Sequence, residues 1–192
     1  ELGIKINIIS GSKEAELIYN GVKLSYDFIK PAVIMDIGGG STEFIFANNN
    51  GISDMISLDI GISRIYEHFK ISNPAKKEEV LDVEKWLEET SDNFFDNKSE
   101  NILIGASGTF ETFYELIFNK TFPNTQNSIE LPFDELLSEL DSIIYSTIKE
   151  RDKNEFLIPI RKKLAPIAAI KTRWVLNKLK VKNVYVSPFS LK

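Results

Sequence analysis

Between Ala32 and Leu58 the chain carries three short β-prone runs divided by two turn signals, and this leaves little freedom in local topology. Ala32–Ile37 is apolar and ends in Gly38-Gly39-Gly40. Ser41–Ala47 alternates in polarity, Asn48-Asn49-Asn50-Gly51 is a hairpin turn signal, and Ile52–Leu58 supplies a third run. Short strands joined by tight turns pair antiparallel with their neighbours, so a three-strand meander is expected here. Lys5–Ile9 also alternates and is β-branched, which reads as an earlier strand, and Ser12 is a plausible cap for the helical run that follows it.

Beyond the meander the pattern changes to helix and strand units. Helices are expected over Ile62–Phe69, over Lys77–Phe95 with Val80, Leu81, Val83, Trp86 and Leu87 near one face, and over Thr109–Phe118. A further helix is expected over Phe133–Ile148, capped at Asp134. Another spans Leu157–Leu179, where Pro166 should kink it or split it in two. Ile102-Leu103-Ile104 and Val184–Ser187 read as short strands, and Phe122–Asn127 as a loop. The expected fold class is therefore α/β, a mixed sheet with an antiparallel meander followed by helix-strand units and helices on both faces.

Composition narrows the chemistry. The 192 residues include no cysteine and one histidine, His68, which excludes thiolate zinc sites, iron–sulfur clusters, cysteine nucleophiles and multi-histidine metal sites within the chain. No apolar run approaches the roughly 20 residues of a membrane helix, so no membrane partner is expected. The chain opens on Glu1-Leu2-Gly3 without methionine or signal peptide, and is expected to be a piece of a longer, cytoplasmic polypeptide. Nine Lys or Arg and no Asp or Glu lie between Leu157 and Lys192, which leaves 14 basic and 28 acidic residues before them. Such a segment suits a polyanion, a solvated helix face, or an acidic neighbouring surface. The net charge of −5 argues against duplex nucleic acid as a partner.

Asp36-Ile37-Gly38-Gly39-Gly40-Ser41-Thr42-Glu43 carries most of the chemical information. Three glycines between strands permit a tight turn whose backbone N–H groups converge on an anion, with Ser41 and Thr42 adding hydroxyl donors. Asp36, at the carboxyl end of a buried strand, is well placed to hold a hydrated magnesium ion. The segment is neither a Walker A loop nor a dinucleotide fingerprint, because it lacks the Gly-Lys-Ser/Thr ending and enters a strand instead of a helix. The plain alternative is a β-hairpin whose glycines serve turn geometry alone.

That segment resembles the second phosphate motif of the exopolyphosphatase and guanosine pentaphosphate phosphohydrolase family (Ppx/GppA), which shares the RNase H-like, actin-like fold of sugar kinases and heat-shock ATPases. Ile9–Val22 is similar to the family's segment of serine, glycine, an acidic pair, alanine and a closing Gly-Val. Ser57-Leu58-Asp59-Ile60-Gly61-Ile62-Ser63-Arg64 resembles its Ser-Leu-x-x-Gly-x-x-Arg element, Gly105-Ala106-Ser107-Gly108-Thr109 its second glycine turn, and Val184–Leu191 its closing strand. The chain departs from the family at Lys13, where the first of two acidic residues is usual, and at Ser190, where glycine is common. The family's amino-terminal domain is not represented, so residues 1–192 are expected to form one actin-like domain, the second half of a two-domain core. Residues 1–30 would lead in from the missing half.

The resemblance implies hydrolysis of a terminal phosphoanhydride bond in inorganic polyphosphate or pppGpp, with Mg2+ or another divalent cation. It makes Glu14 the catalytic base, with Asp36 and Glu14 near the metal and Glu43 as a supporting carboxylate. Gly38, Gly39, Gly40 and Ser41 would cradle phosphate oxygens. Gly105, Ser107, Gly108 and Thr109 would flank the cleft, or form only a capped strand-to-helix connection. Arg64 and Arg161 are candidates for phosphate contact or for surface ion pairs, and His68, Trp86 and Trp174 for structural roles. The partners implied are polyphosphate or guanosine pentaphosphate, the missing amino-terminal domain and a second copy of the chain as a homodimer. A module of the same fold that senses such ligands without chemistry is the alternative, and a kinase of the fold group is a third reading.

Overall fold

A computed structural model describes residues 9–190. Six strands form one mixed sheet in the order β3-β2-β1-β4-β6-β5. β1 (Ala32–Ile37), β2 (Thr42–Asn48) and β3 (Gly51–Leu58) are the antiparallel meander. β4 (Ile102–Gly105) runs parallel to β1, β6 (Asn183–Val186) runs parallel to β4, and β5 (Ile129–Leu131) closes the far edge antiparallel to β6. The strand expected over Lys5–Ile9 falls, as far as Ile8, outside the described residues, as does Leu191.

The helices are α1 (Gly11–Val22), α2 (Ile62–His68), α3 (Lys77–Thr90), α4 (Gly108–Phe118), α5 (Phe133–Tyr145), α6 (Ile148–Asp152) and α7 (Pro159–Leu179). β1 shows why the sheet is covered on both faces. Val33, Met35 and Ile37 point into a large core with α2, α3, α4, α5 and α7, whereas Ala32 and Ile34 point into a smaller one with Ala15, Ile18 and Val22 of α1. A strand buried on both sides reads as a continuous apolar run, as this one does.

Several boundaries differ from expectation. α1 is capped by Ser10, not Ser12, its side chain accepting the Lys13 N–H at 3.2 Å. α3 stops at Thr90 because Asp92, Asn93 and Asn97 take positive φ, a conformation Asp and Asn tolerate. Leu81 is exposed, so the buried face of α3 is Val80, Val83 and Leu87. Asp134 lies in the first turn of α5 and is not its cap, and α5 ends at Tyr145, three residues short of expectation. Thr147 then caps the separate helix α6. β5 was not foreseen, since three residues carry too little periodicity to read.

α7 is one helix of 21 residues running through Pro166 without a split. Proline removes the N–H that would reach the Lys162 carbonyl four residues earlier. Arg151 replaces it, donating from Nε to Lys162 O at 2.6 Å while Nη1 reaches Ser146 O at 2.5 Å. Part of the basic carboxyl-terminal region faces the chain's own acids. Arg173 pairs with Glu84 and Asp141, and Lys178 with Glu88 and Asp96. Among the described residues no helix is long and apolar enough to cross a membrane.

Arg151→Met leaves the partly buried Lys162 and Ser146 carbonyls without the donors Arg151 supplies, and is expected to lower unfolding stability by about 1–3 kcal/mol. Urea unfolding of the two proteins measures this.

Candidate functional site

The glycine turn is built by its carbonyls. Ile37 and Thr42 are the last pair of the β1–β2 ladder, and Gly38 N–H closes the turn on Ser41 O at 3.1 Å. The carbonyls of Gly38, Gly39 and Gly40 then accept from Ile62 (3.0 Å), Ser63 (2.9 Å) and Gly61 (3.1 Å), the first amides of α2. Arg64 Nε adds a second bond to Gly40 O at 2.8 Å, its guanidinium steadied by Asp59 at 3.3 Å. Among the described residues no acceptor takes the N–H of Gly39 or Gly40, and both residues are exposed.

The glycines divide by purpose. A side chain on Gly61 would lie 2.3 Å from the Gly39 carbonyl oxygen, so this residue must be bare for α2 to clamp the turn. A side chain on Gly40 would meet nothing within 4 Å, and one on Gly39 only Ser63 Oγ at 3.4 Å. Neither takes a positive φ. Packing and turn geometry thus do not demand glycine at 39 or 40; what glycine gives there is bare, outward-facing backbone.

Three carboxylates gather at this end of the sheet. Asp36 pairs with Glu43 across β1–β2, and Glu43 with Ser57 across β2–β3, all on the face covered by α1. Glu43 is 2% exposed and accepts from Ser57 Oγ at 2.7 Å. α1 packs directly on this row: a side chain on Gly11 would sit 2.7 Å from Ser57 Cβ. Glu14, one turn along, has its carboxyl pushed above the usual 4.5 by burial first and by the charge of Glu43 second. Glu14 is therefore within electrostatic reach of the hairpin. Lys13 is exposed and pairs with Glu16 at 2.6 Å. Among the described residues no three His, Cys, Asp or Glu side chains close on one point tightly enough to cage a metal.

Lys171 was missed. It projects from α7 on the opposite face of the sheet, is fully buried, and donates to Thr42 Oγ1 at 2.5 Å and Ile60 O at 2.7 Å. Burial pushes its ammonium down to about 7, against the opposing pull of Glu43 and Asp36. The one signal in the sequence is a lone lysine following the apolar run Ala165–Ile170.

The second glycine turn adjoins the first. Ser107 Oγ accepts the Ile37 N–H at 3.4 Å and makes no capping bond to α4. Gly105 is bare because a side chain there would fall 1.9 Å from the Phe110 ring, so its place is in the core. Gly108 lies under the Arg161 guanidinium, which also reaches Thr112 at 2.5 Å. An apolar cavity of about 230 Å³ lies between α4 and the first half of α7, bounded by Ile37, Ile62, Gly108, Thr109 and Arg161 among others. His68 stands apart, exposed and stacked on Trp86, and Trp174 is buried in the core.

A model of the Ppx/GppA phosphatase family matches residues 1–192. Guanosine-5'-triphosphate,3'-diphosphate pyrophosphatase of Pseudoalteromonas translucida is 32% identical over 157 residues, covering 79% of this chain and 30% of that protein. A bifunctional 3-dehydroquinate synthase/phosphatase of Fusobacterium nucleatum is 42% identical over 118 residues, 58% of this chain and 18% of that one. An exopolyphosphatase from Cytophaga hutchinsonii superposes with a TM-score of 0.93 at 29% identity, over 100% of this chain and 64% of that chain. The Aquifex aeolicus PPX-GPPA enzyme superposes with a TM-score of 0.87 at 24% identity, covering 99% of this chain and 64% of that chain, a likeness of fold. The chain thus spans less than a third of these curated relatives and under two thirds of these solved structures. Its fold is the actin-like mixed α/β layer that the sequence resemblance implied.

Ser57→Ala removes the hydroxyl that donates to the buried Glu43 carboxylate, and a loss of about 1–3 kcal/mol in unfolding stability is expected. Thermal and urea unfolding of the variant would show it.

Proposed function

This chain belongs to the Ppx/GppA phosphatase family, and from that premise we propose that it forms the second, phosphate-binding half of a hydrolase of terminal phosphoanhydride bonds. Its substrates would be inorganic polyphosphate or pppGpp. The observation that carries this reading is the glycine turn. Its three carbonyls are turned inward and occupied, which leaves the N–H groups of Gly39 and Gly40 on the outward edge of the same peptides, while Glu14 feels the charge of Glu43 on the adjoining strand.

In the proposed reaction a water oxygen bonds to the terminal phosphorus, the bridging P–O bond breaks, and orthophosphate leaves a chain shorter by one phosphate. Phosphoryl transfer asks mainly for position and for neutralisation of charge. Gly38–Ser41 would hold non-bridging oxygens through backbone N–H groups and the Ser41 hydroxyl. Glu14 would orient the water and take its proton, and a raised carboxyl pKa makes it a better base than an ordinary glutamate. Glu43, buried and held by Ser57, would keep Glu14 basic through its charge. The second glycine turn, through Ser107 and Gly108, would form the adjoining wall.

The donors fit a divalent cation of the magnesium kind. Asp36, assisted by Glu14, offers hard carboxylate oxygen, and Mg2+ is commonly held by one or two carboxylates together with water and substrate phosphates. The lack of a closed three-ligand cage among the described residues agrees with a cation shared with substrate. When bound, the ion would neutralise charge on the phosphate oxygens. The opposite wall of the cleft would come from a preceding domain, so residues 1–192 alone would be inactive. Arg173 and Lys178 are engaged by the chain's own carboxylates, which takes these two cations out of the case for long polyphosphate made from charge.

A ligand-sensing reading rests on Lys13, which stands where a second acid is expected and points to Glu16. In the full-length protein, Glu14→Gln and Asp36→Asn should each cut phosphate release from tripolyphosphate or pppGpp by about 10²–10⁴-fold while leaving the fold intact. Wild-type kcat/KM should fall as pH drops through a value above 4.5, since a raised pKa means the base form is lost earlier on the acid side. A wild-type protein that binds both ligands and turns over neither would establish the sensing reading instead.

A further inference from the structure

The buried ammonium of Lys171 joins the two segments that make the glycine turn and its clamp. Thr42, which accepts from Nζ at 2.5 Å, begins β2 directly after the turn. Ile60, whose carbonyl accepts at 2.7 Å, precedes Gly61, the residue whose amide holds Gly40. Neutral groups would suffice for a mere link, and Thr42 Oγ1 already lies 3.4 Å from Ile60 O as a donor. A fully buried lysine is costly to fold around, so the charge itself calls for a use. Asp36 and Glu43 favour its charged form from across the sheet. An anion seated on the outer side of the turn would favour it further.

We propose that Lys171 is a positioning residue for anion binding, fixing the turn from beneath and placing positive potential under the exposed amides of Gly39 and Gly40. The proposal rests on the reading of that turn as a phosphoryl cradle. It assigns to α7, whose Arg161 lies over the second glycine turn, a part in holding the polyanion at the first.

The test is calorimetric titration of the full-length protein with tripolyphosphate at pH 6.5, without metal, alongside thermal unfolding and turnover. Lys171→Met/Thr42→Val replaces both polar side chains with apolar groups and leaves the buried Ile60 carbonyl without these donors, a cost in stability that thermal unfolding reads separately from binding. Gly40→Val, which projects a side chain into the open side of the turn, serves as control. The proposal expects the double variant to fold, with a lowered melting temperature, and to bind tripolyphosphate about tenfold more weakly. KM should rise by a similar factor, with kcat changed by less than about threefold. A double variant that binds as wild type does, or one that cannot fold, overturns it, because Lys171 then serves the fold alone. If Gly40→Val binds like wild type, or if wild type does not bind, the cradle reading itself fails and the proposal with it.

Discussion

The site depends on one backbone contact, the seating of Gly61–Ser63 against the carbonyls of Gly38–Gly40. Each such hydrogen bond contributes only about 0.5–1.5 kcal/mol net. Their effect on direction matters more than their energy. Three carbonyls committed to α2 leave the opposite edge of the same peptides for N–H groups, and that edge faces outward. The contact requires Gly61, since any side chain would strike the Gly39 and Gly40 backbone. A family of turns with the same three glycines but no clamp would leave the peptide orientation free.

Charge is arranged around this contact in layers. On the α1 face Glu43 is buried beside Asp36 and faces Glu14; on the α7 face Lys171 is buried beneath Thr42. Desolvation penalises every one of these groups when charged. Acids and ammonium oppose each other across a single sheet, which offsets part of that cost. The same logic appears at lower stakes on the surface, where Arg173 and Lys178 answer the acids of α3 and its neighbours.

The second glycine turn shows why similar motifs need not serve similarly. Gly105 makes room for Phe110, Gly108 lies beneath Arg161, and Ser107 ties the turn to Ile37. It adjoins the first turn through that bond, and an apolar cavity opens beside Gly108 between α4 and α7. Among the glycines of these two turns, Gly39 and Gly40 are the exposed ones.

The meander, the helices on both faces and the glycine turn were all legible in the sequence, because they follow from local rules: alternation for strands, i and i+3/i+4 spacing for helices, and Asn and Gly for turns. Asp36 was singled out by its place at the end of a buried strand, whereas Glu14 was singled out only through family resemblance, since a glutamate in the first turn of a helix looks like any surface residue. What tertiary structure alone decided were contacts between segments far apart in the chain. Arg151 rescues the carbonyl that Pro166 orphans, so α7 does not split. Lys171 reaches Thr42 across 129 positions, and no periodicity in one helix foretells a polar partner on a distant strand. Local sequence sets which elements form; which buried charge meets which carbonyl is settled only when those elements pack.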